Sequence, residues 1–295
     1  MLEHKNSQPT QPDRVVIVGA GGFVGGTIAK ALGAAAIPVL PLTRQQVDLL
    51  APGADAALKA QLKPTDSVVF VSAIAPAKNN DQLMLNLTMA HAACTAFAAV
   101  PPAHLLYISS DAIYADDANP VTESSSPAPT TSHGMMHAAR ELMLKTCSPA
   151  PFAALRPTLI YGADDPHSGY GPNRFRRQAQ KGEPITLFGE GEERRDHVLV
   201  DDVAALAVLM LQHRSVGALN AVTGVSVSFH DIAQLVAAQF QGKAEVKSVP
   251  RPGPRPHLLH RHFDITNCLK AFPSFRYTTQ ADGIARVHRA VVGRA

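Results

Sequence analysis

Residues 14–25 read Arg-Val-Val-Ile-Val-Gly-Ala-Gly-Gly-Phe-Val-Gly, and their arrangement suits the binding of phosphate. An apolar run enters a turn containing Gly19, Gly22 and Gly25 and leaves as a helix. Backbone N–H groups and the positive end of a helix dipole then converge with no Cβ to obstruct a pyrophosphate. In that geometry Gly19 supplies the tight turn, Gly22 the close approach and Gly25 the packing of helix on strand, with Phe23 and Val24 opening the helix as further contacts. The next strand candidate, 37–42, ends in Thr43-Arg44. An acidic residue there would accept the ribose hydroxyls of NAD, whereas arginine accommodates the additional phosphate of NADP. NADP is therefore the expected cofactor and NAD the alternative; stacking of Arg44 on adenine is the competing use. Ser72 and Ala73, which end a third strand candidate, are further cofactor contacts.

A second constellation is Ser132-His133-Gly134-Met-Met-His137. A spacing of four puts both imidazoles on one face of a helix. Histidine titrates near ~6.5 and acts as a base at neutral pH without assistance. The spacing also suits zinc, with His257, His260 and His262 as further donors, but no acidic or cysteine partner is apparent and no metal is expected. Three uses compete: proton transfer, an inert pair in a protein that only binds nucleotide, and metal binding. Arg194-Arg195 offers bidentate phosphate recognition or, equally, an ion pair to Asp196 or a neighbour. Ser109 and Ser110 close a strand, where serine is also an ordinary turn residue.

The elements that must position these groups alternate. Apolar runs at 15–18, 37–42, 67–72, 104–109 and 152–156 are separated by helical patterns at 24–32, 54–62, 81–99 and about 132–146. Strand and helix in alternation predict an α/β fold with a doubly wound parallel sheet of Rossmann type. After Tyr161 the composition changes to loop, then to a basic helix candidate over 174–181. The stretch 198–212, capped by Asp201 and Asp202 before an apolar helix, returns to the main unit. The expected division is a disordered leader over 1–13 and a dinucleotide-binding domain of 14–162 plus about 197–224. A smaller substrate-binding region takes about 163–196 plus 225–295. The four prolines within 249–257 predict a rigid surface excursion.

Composition excludes several classes. A formal charge of +3, with basic residues scattered except at 174–177, argues against nucleic acid. The most apolar stretch, 91–108, is interrupted by Pro101-Pro102 and carries His104, so no membrane span is expected. Cys94, Cys147 and Cys268 fit no metal or disulfide spacing, which points to a reducing cytoplasm.

Four segments together resemble the extended short-chain dehydrogenase/reductase family of nucleotide-sugar epimerases, dehydratases and reductases, over nearly the whole chain. They are the glycine turn with Phe23; Leu106-Tyr-Ile-Ser-Ser-Asp-Ala-Ile-Tyr114; Leu155-Arg-Pro-Thr-Leu-Ile-Tyr-Gly162; and 184–197 followed by Val200-Asp-Asp202. The resemblance implies that Ser110 is catalytic, that Pro157 lies at the nicotinamide end of the cofactor, and that Asp48 lies near the adenine, its other reading being a helix cap. It also implies that Arg195 and Arg251 bind the diphosphate of a sugar nucleotide, with Tyr114 beside them. Where that family carries Tyr-x-x-x-Lys, this sequence places His133 and His137. His133 can replace the tyrosine as proton carrier, whereas neutral His137 offers one donor and one acceptor in place of an ammonium, so no fixed cation is expected from the pair. Asp111 followed by Ala112 lacks the Glu that dehydratases use for elimination. Reversible hydride transfer on a nucleotide sugar or related hydroxy or keto sugar is thus expected, by a reductase or epimerase with Asp111 as a second acid. The alternative is a catalytically silent NAD(P)-binding structural or regulatory protein. Dimerisation through helices 81–99 and 132–146 is a further implication.

Overall fold

The computed structural model describes residues 2–253 and 259–293. Its main sheet is built from β1 (Glu3–His4), β2 (Val15–Val18), β3 (Val39–Leu42), β4 (Ser67–Phe70), β5 (His104–Ile108), β6 (Phe152–Pro157) and, later in the chain, β11 (Ser215–Ala221). The spatial order is β1-β11-β6-β5-β4-β2-β3. All neighbours pair in parallel except β1 with β11. The side chains of β2 alternate between two cores: Val15 and Ile17 pack in one, Val16 and Val18 in the other. That period of two, with both sides apolar, requires helices on both faces. α1 (Phe23–Ala34) and α6 (Val200–Gln212) cover one face, and α2 (Ala54–Lys59), α3 (Asn80–Ala99) and α4 (Ser132–Thr146) cover the other. Chain direction reverses on either side of β2, so the crevice at its carboxyl end, between β3 and β4, is the place where such sheets bind ligand.

A second, smaller core forms beyond β7 (Leu159–Tyr161). α5 (Pro172–Gln180), β8 (Ile185–Phe188), β9 (Arg194–Arg195), β10 (His197–Leu199), β12 (Val227–Ser228), α7 (Phe229–Ala238), β13 (Val246–Val249), α8 (Thr266–Ala271) and α9 (Gln280–Val292) complete the chain. Three small ladders, β10 with β7, β9 with β12 and β8 with β13, hold this region beside the carboxyl ends of β5 and β6.

Two expectations are corrected. The leader is ordered over residues 2–13: Glu3 and His4 pair with Val216 and Ser215, and His4 reaches the Ser215 hydroxyl at 2.9 Å through Nδ1 and the Ala271 carbonyl at 3.1 Å through Nε2. A polar segment gains order here from an open sheet edge, a partner that its own composition does not reveal. Asp201 and Asp202 do not cap α6, whose N-cap is Leu199. They lie within its first turn, and Asp202 accepts from the Thr278 amide and hydroxyl at 2.8 and 2.9 Å. Of the predicted surface excursion, Pro254 to His257 lie outside the described residues.

Candidate active site

At the end of β2 the backbone turns so sharply that only glycine fits. Gly19 has φ +107°, and a Cβ there would lie 2.7 Å from the Ser72 amide nitrogen at the end of β4. A Cβ on Gly25 would collide with the Gly19 carbonyl oxygen, so α1 starts directly against the turn. Gly21 and Gly22 are exposed, and the α1 N-terminus carries neither a capping side chain nor an acidic residue in its first turn. Uncapped N–H groups at a dipole's positive end, lined by a backbone without Cβ atoms, fit a dinucleotide pyrophosphate. Phe23 and Val24 form the first turn, and the Phe23 ring packs against Gly162. Ser72 and Ala73 flank the cradle from β4.

On the other side of β2, Arg44 projects into solvent and its Nε donates to Asp48 Oδ2 at 3.0 Å. Asp48 Oδ1 accepts from the Leu50 amide, and these two bonds, the backbone one first, lower its pKa. Asp48 therefore caps a turn and not a helix, since α2 begins only at Ala54. The Arg44–Asp48 pair is exposed, and pairs of that kind hold weakly enough to exchange partners.

Ser110 is the N-cap of a single helical turn, Asp111–Ile113, and its Oγ accepts from the Ala112 amide at 3.1 Å. Asp111 accepts from the Thr158 hydroxyl at 3.2 Å and lies 3.9 Å from the Arg261 Nε. α4 comes directly against this turn because of Gly134: a Cβ there would clash with the Ala112 carbonyl oxygen and lie 2.7 Å from Pro129 Cβ. That contact packs the first turn of α4 on the turn that Ser110 caps, and Tyr107 ties His137 to β5. The rings of His133 and His137 meet edge to face with centroids 4.7 Å apart. Burial, and secondarily His167, lowers the pKa of His133; burial, then His133 and Arg140, lowers that of His137 well below the ordinary value. Both are neutral at physiological pH. Pro157 is buried at the end of β6.

The arginines of the second region converge beside Asp111. Arg195, 8% exposed, lies 3.7 Å from Glu193, not paired with Asp196, and its Nη1 donates to the carbonyls of Arg194 and Leu259. Burial lowers its pKa, with opposing help from Glu193. Arg251 also pairs with Glu193. Asp196 is instead enclosed, accepting from the Thr223 amide and hydroxyl and the Gly224 amide.

Tyr114 leaves the expected substrate contacts. It is 2% exposed within a small core of Ile113, Val121, Val222 and Phe263, its hydroxyl donates to Asn220 at 2.7 Å, and it accepts from Arg156 at 2.8 Å. With both hydrogen-bonding directions used inside the protein it braces β6 and β11. Among the described residues no cluster of His, Cys, Asp or Glu is arranged to hold a metal ion, and His257 lies outside them. No described helix is long and apolar enough to cross a membrane. Two residues absent from the sequence reading also belong to this region: Tyr107 on β5, bonded to His137, and the enclosed Arg140 on α4. The only signal for Tyr107 was its position three residues before Ser110.

The fold is shared widely. The UDP-glucuronic acid 4-epimerase from Bacillus cereus, in complex with a substrate analogue and NAD, superposes with a TM-score of 0.81 at 18% identity, covering 96% of this chain and 100% of that one. The UDP-N-acetylglucosamine 4-epimerase from the same organism gives 0.81 at 21%, over 95% and 99%. A GDP-L-fucose synthetase from Naegleria fowleri bound to NADP gives 0.82 at 16%, over 98% and 96%. The sequence pattern of the NAD dependent epimerase/dehydratase family matches residues 15–223, which takes in the glycine cradle, the Ser110 turn, α4 and the Arg195 strand. The chain thus belongs to the NAD dependent epimerase/dehydratase family.

Proposed function

We propose that this protein is an NADP-dependent epimerase or reductase acting on a nucleotide sugar or related hydroxy or keto sugar, with His133 as the proton-transferring residue. The observation that carries this reading is the Gly134 contact, which packs the helix bearing His133 on the turn that Ser110 caps, in a chain whose β2–α1 turn forms an uncapped glycine cradle. The bound nicotinamide supplies or accepts the hydride. The chain's own part is to hold the reacting oxygen and move one proton. Ser110 Oγ orients that oxygen; in the oxidative direction His133 takes the hydroxyl proton, and in the reductive direction it returns it. A base that is neutral at pH 7 suits the first half, and the proton it has gained serves the second. An epimerase needs that internal return, because oxidation and reduction follow each other on one substrate.

Arg44 supports NADP: its exposed pair with Asp48 can open to receive a ribose phosphate. Arg195 and Arg251 bracket a diphosphate, and their shared Glu193 holds both forks in place. We assign residues 14–162 and about 197–224 to dinucleotide binding, and about 163–196 with 225–295 to the substrate. Unbridged cysteines accord with a reducing cytoplasm. The neighbours named above bind UDP- or GDP-linked sugars by their descriptions, which supports the substrate class.

The test is His133→Phe on freshly purified protein, with dinucleotide and sugar nucleotides identified by native mass spectrometry. Wild type should hold NADP and turn over a matching sugar nucleotide, with kcat/KM level through neutral pH and declining only below His133's ordinary titration range. The variant should keep the dinucleotide and lose at least ~100-fold in kcat, the scale of general acid–base catalysis. Equal activity in the two proteins would remove His133 from the reaction, and a wild type that binds dinucleotide but turns over nothing would favour the silent nucleotide-binding reading.

A further inference from the structure

Two enclosed residues hold His137 from behind. Tyr107, 1% exposed on β5, has its hydroxyl 2.7 Å from His137 Nδ1. Acting as an acceptor, the phenol would leave its own proton unpaired in the interior, at a cost of ~1–3 kcal/mol. Acting as the donor, it satisfies both groups. Burial raises its pKa further above the usual phenol value, so the proton stays on the oxygen. Nδ1 therefore accepts, and the ring proton of neutral His137 sits on Nε2. Among the described residues Nε2 has no hydrogen-bond partner, so its N–H remains available to a bound molecule.

Arg140, three residues further along α4, has no solvent exposure. It donates to the Ser72 carbonyl at 2.5 Å, to Asn86 Oδ1 at 3.3 Å and to Met136 Sδ at 3.5 Å, and its Nε has no partner. The guanidinium lies over the rings of Phe70 and Tyr107, 4.7 and 5.3 Å from their centroids. These two rings are register partners on adjacent strands, so they form one apolar floor. Every one of these contacts is neutral. Burying a cation without a carboxylate costs several kcal/mol, and the charge is left uncancelled just behind Ser72, which borders the glycine cradle.

We propose that Tyr107 and Arg140 are the positioning residues that allow histidine to stand at position 137. Tyr107 fixes the ring with Nε2–H as the donor toward the dinucleotide's ribose hydroxyls, and Arg140 supplies the fixed positive charge from behind the cleft. The inference rests on the dinucleotide-binding reading above. The groups facing His137 are His133 and Arg140 from α4 and Tyr107 from β5; Glu141 acts on Tyr107, Asn86 and Cys94 from α3 face Arg140, and His167 faces His133. Glu141 is taken up by Arg156, a bidentate pair at 2.9 and 2.7 Å, so it does not neutralise Arg140. His137 is thus a permanently neutral donor, and proton transfer falls to His133 alone.

The experiment reads tautomer and binding, without relying on turnover. Two-bond nitrogen–proton NMR of the full-length protein, with the His137 signals assigned by their loss in His137→Gln, should show the neutral Nε2–H form persisting well below the free imidazole value near ~6.5. Tyr107→Phe, checked for folding by circular dichroism, should give a mixture of tautomers and bind NADP about three- to tenfold more weakly, as expected for one lost hydrogen bond. Arg140→Met should weaken binding at least tenfold and raise the His137 titration, whereas Arg140→Lys should stay within about twofold of wild type. A proton on Nδ1, or an imidazolium at pH 7, in the wild type would overturn the role of Tyr107. Equal affinities of the Met and Lys variants would overturn that of Arg140. Failure of the wild type to bind any dinucleotide would instead overturn the functional reading, and the tautomer would still decide the Tyr107 assignment.

Discussion

His104 on β5 donates from Nε2 to the Ser215 carbonyl at 2.7 Å and is wholly enclosed. Burial, opposed by that hydrogen bond and reinforced by Arg214, lowers its pKa to about 4, and burial likewise takes His197 to about 3. The unfolded chain takes up these protons near the ordinary value of 6.5, before the folded protein does. Their contribution is therefore complete above that value and is lost as pH falls toward 4, at roughly 3 kcal/mol for His104 alone. Asp196 works in the opposite sense, since burial raises it to about 6 and its ionisation costs stability at neutral pH. Asp202, also raised by burial, acts with it, and the two carboxyls are set against His104, His197 and His137 together. Thermal unfolding followed against pH should show the midpoint falling steeply below pH 6.5, and His104→Gln, whose amide can donate without charging, should flatten the fall. A midpoint that holds level from neutral to pH 4.5 would contradict this. At this scale the sequence displayed Gly19, Gly25, Ser110 and the histidine pair, because their spacing is local. Arg140 was hidden: within Ala-Ala-Arg-Glu it has the look of a solvated helix face, and only the packing of α4 on β4 and β5 encloses it.

Among the elements, α4 and the Ser110 turn depend on each other through one missing methyl group. Gly134→Ala should push α4 away from the Ala112 carbonyl and separate His133 from Ser110. The expected cost is about 1–3 kcal/mol of stability from overpacking and ~100-fold in kcat from misplacement, with dinucleotide affinity changed much less. Denaturant unfolding and single-turnover kinetics on the same preparation separate the two effects. An alanine variant with native kcat would show that the contact is not what sets the geometry. The bounds of α4 were legible because residues of high helix propensity, His137 aside, follow one another from Met135 to Lys145 after the Thr131 cap. β2 was legible as a continuous apolar run. The approach of Cys94 on α3 to Cys147 at the end of α4 was not. They stand far apart in sequence, and only the packing of α3 against α4 brings them together.

At the scale of the whole molecule, two surfaces invite partners. Met84 and Leu85 on α3 and Met135 and Leu142 on α4 are large apolar side chains 40–64% exposed. This supports a homodimer through α3 and α4, in which a second copy covers them. Light scattering should give twice the chain mass, and Met84→Lys with Leu142→Glu should give a monomer that still binds dinucleotide; a monomeric wild type would end the idea. The other surface is the β11 edge of the main sheet, which β1 covers at Ser215 and Val216. A construction that removes residues 2–13 as a floppy tail would uncover the free N–H and C=O groups of β11 over 215–216 and discard the His4 contacts to Ser215 and Ala271. Such a truncated protein should associate edge to edge as its concentration rises, visible as a concentration-dependent elution volume, whereas the full chain keeps one volume. The short first strand is then a guard against self-templating: it gives the sheet a finished border, and where the amino terminus is cut or fused decides whether that border stays closed.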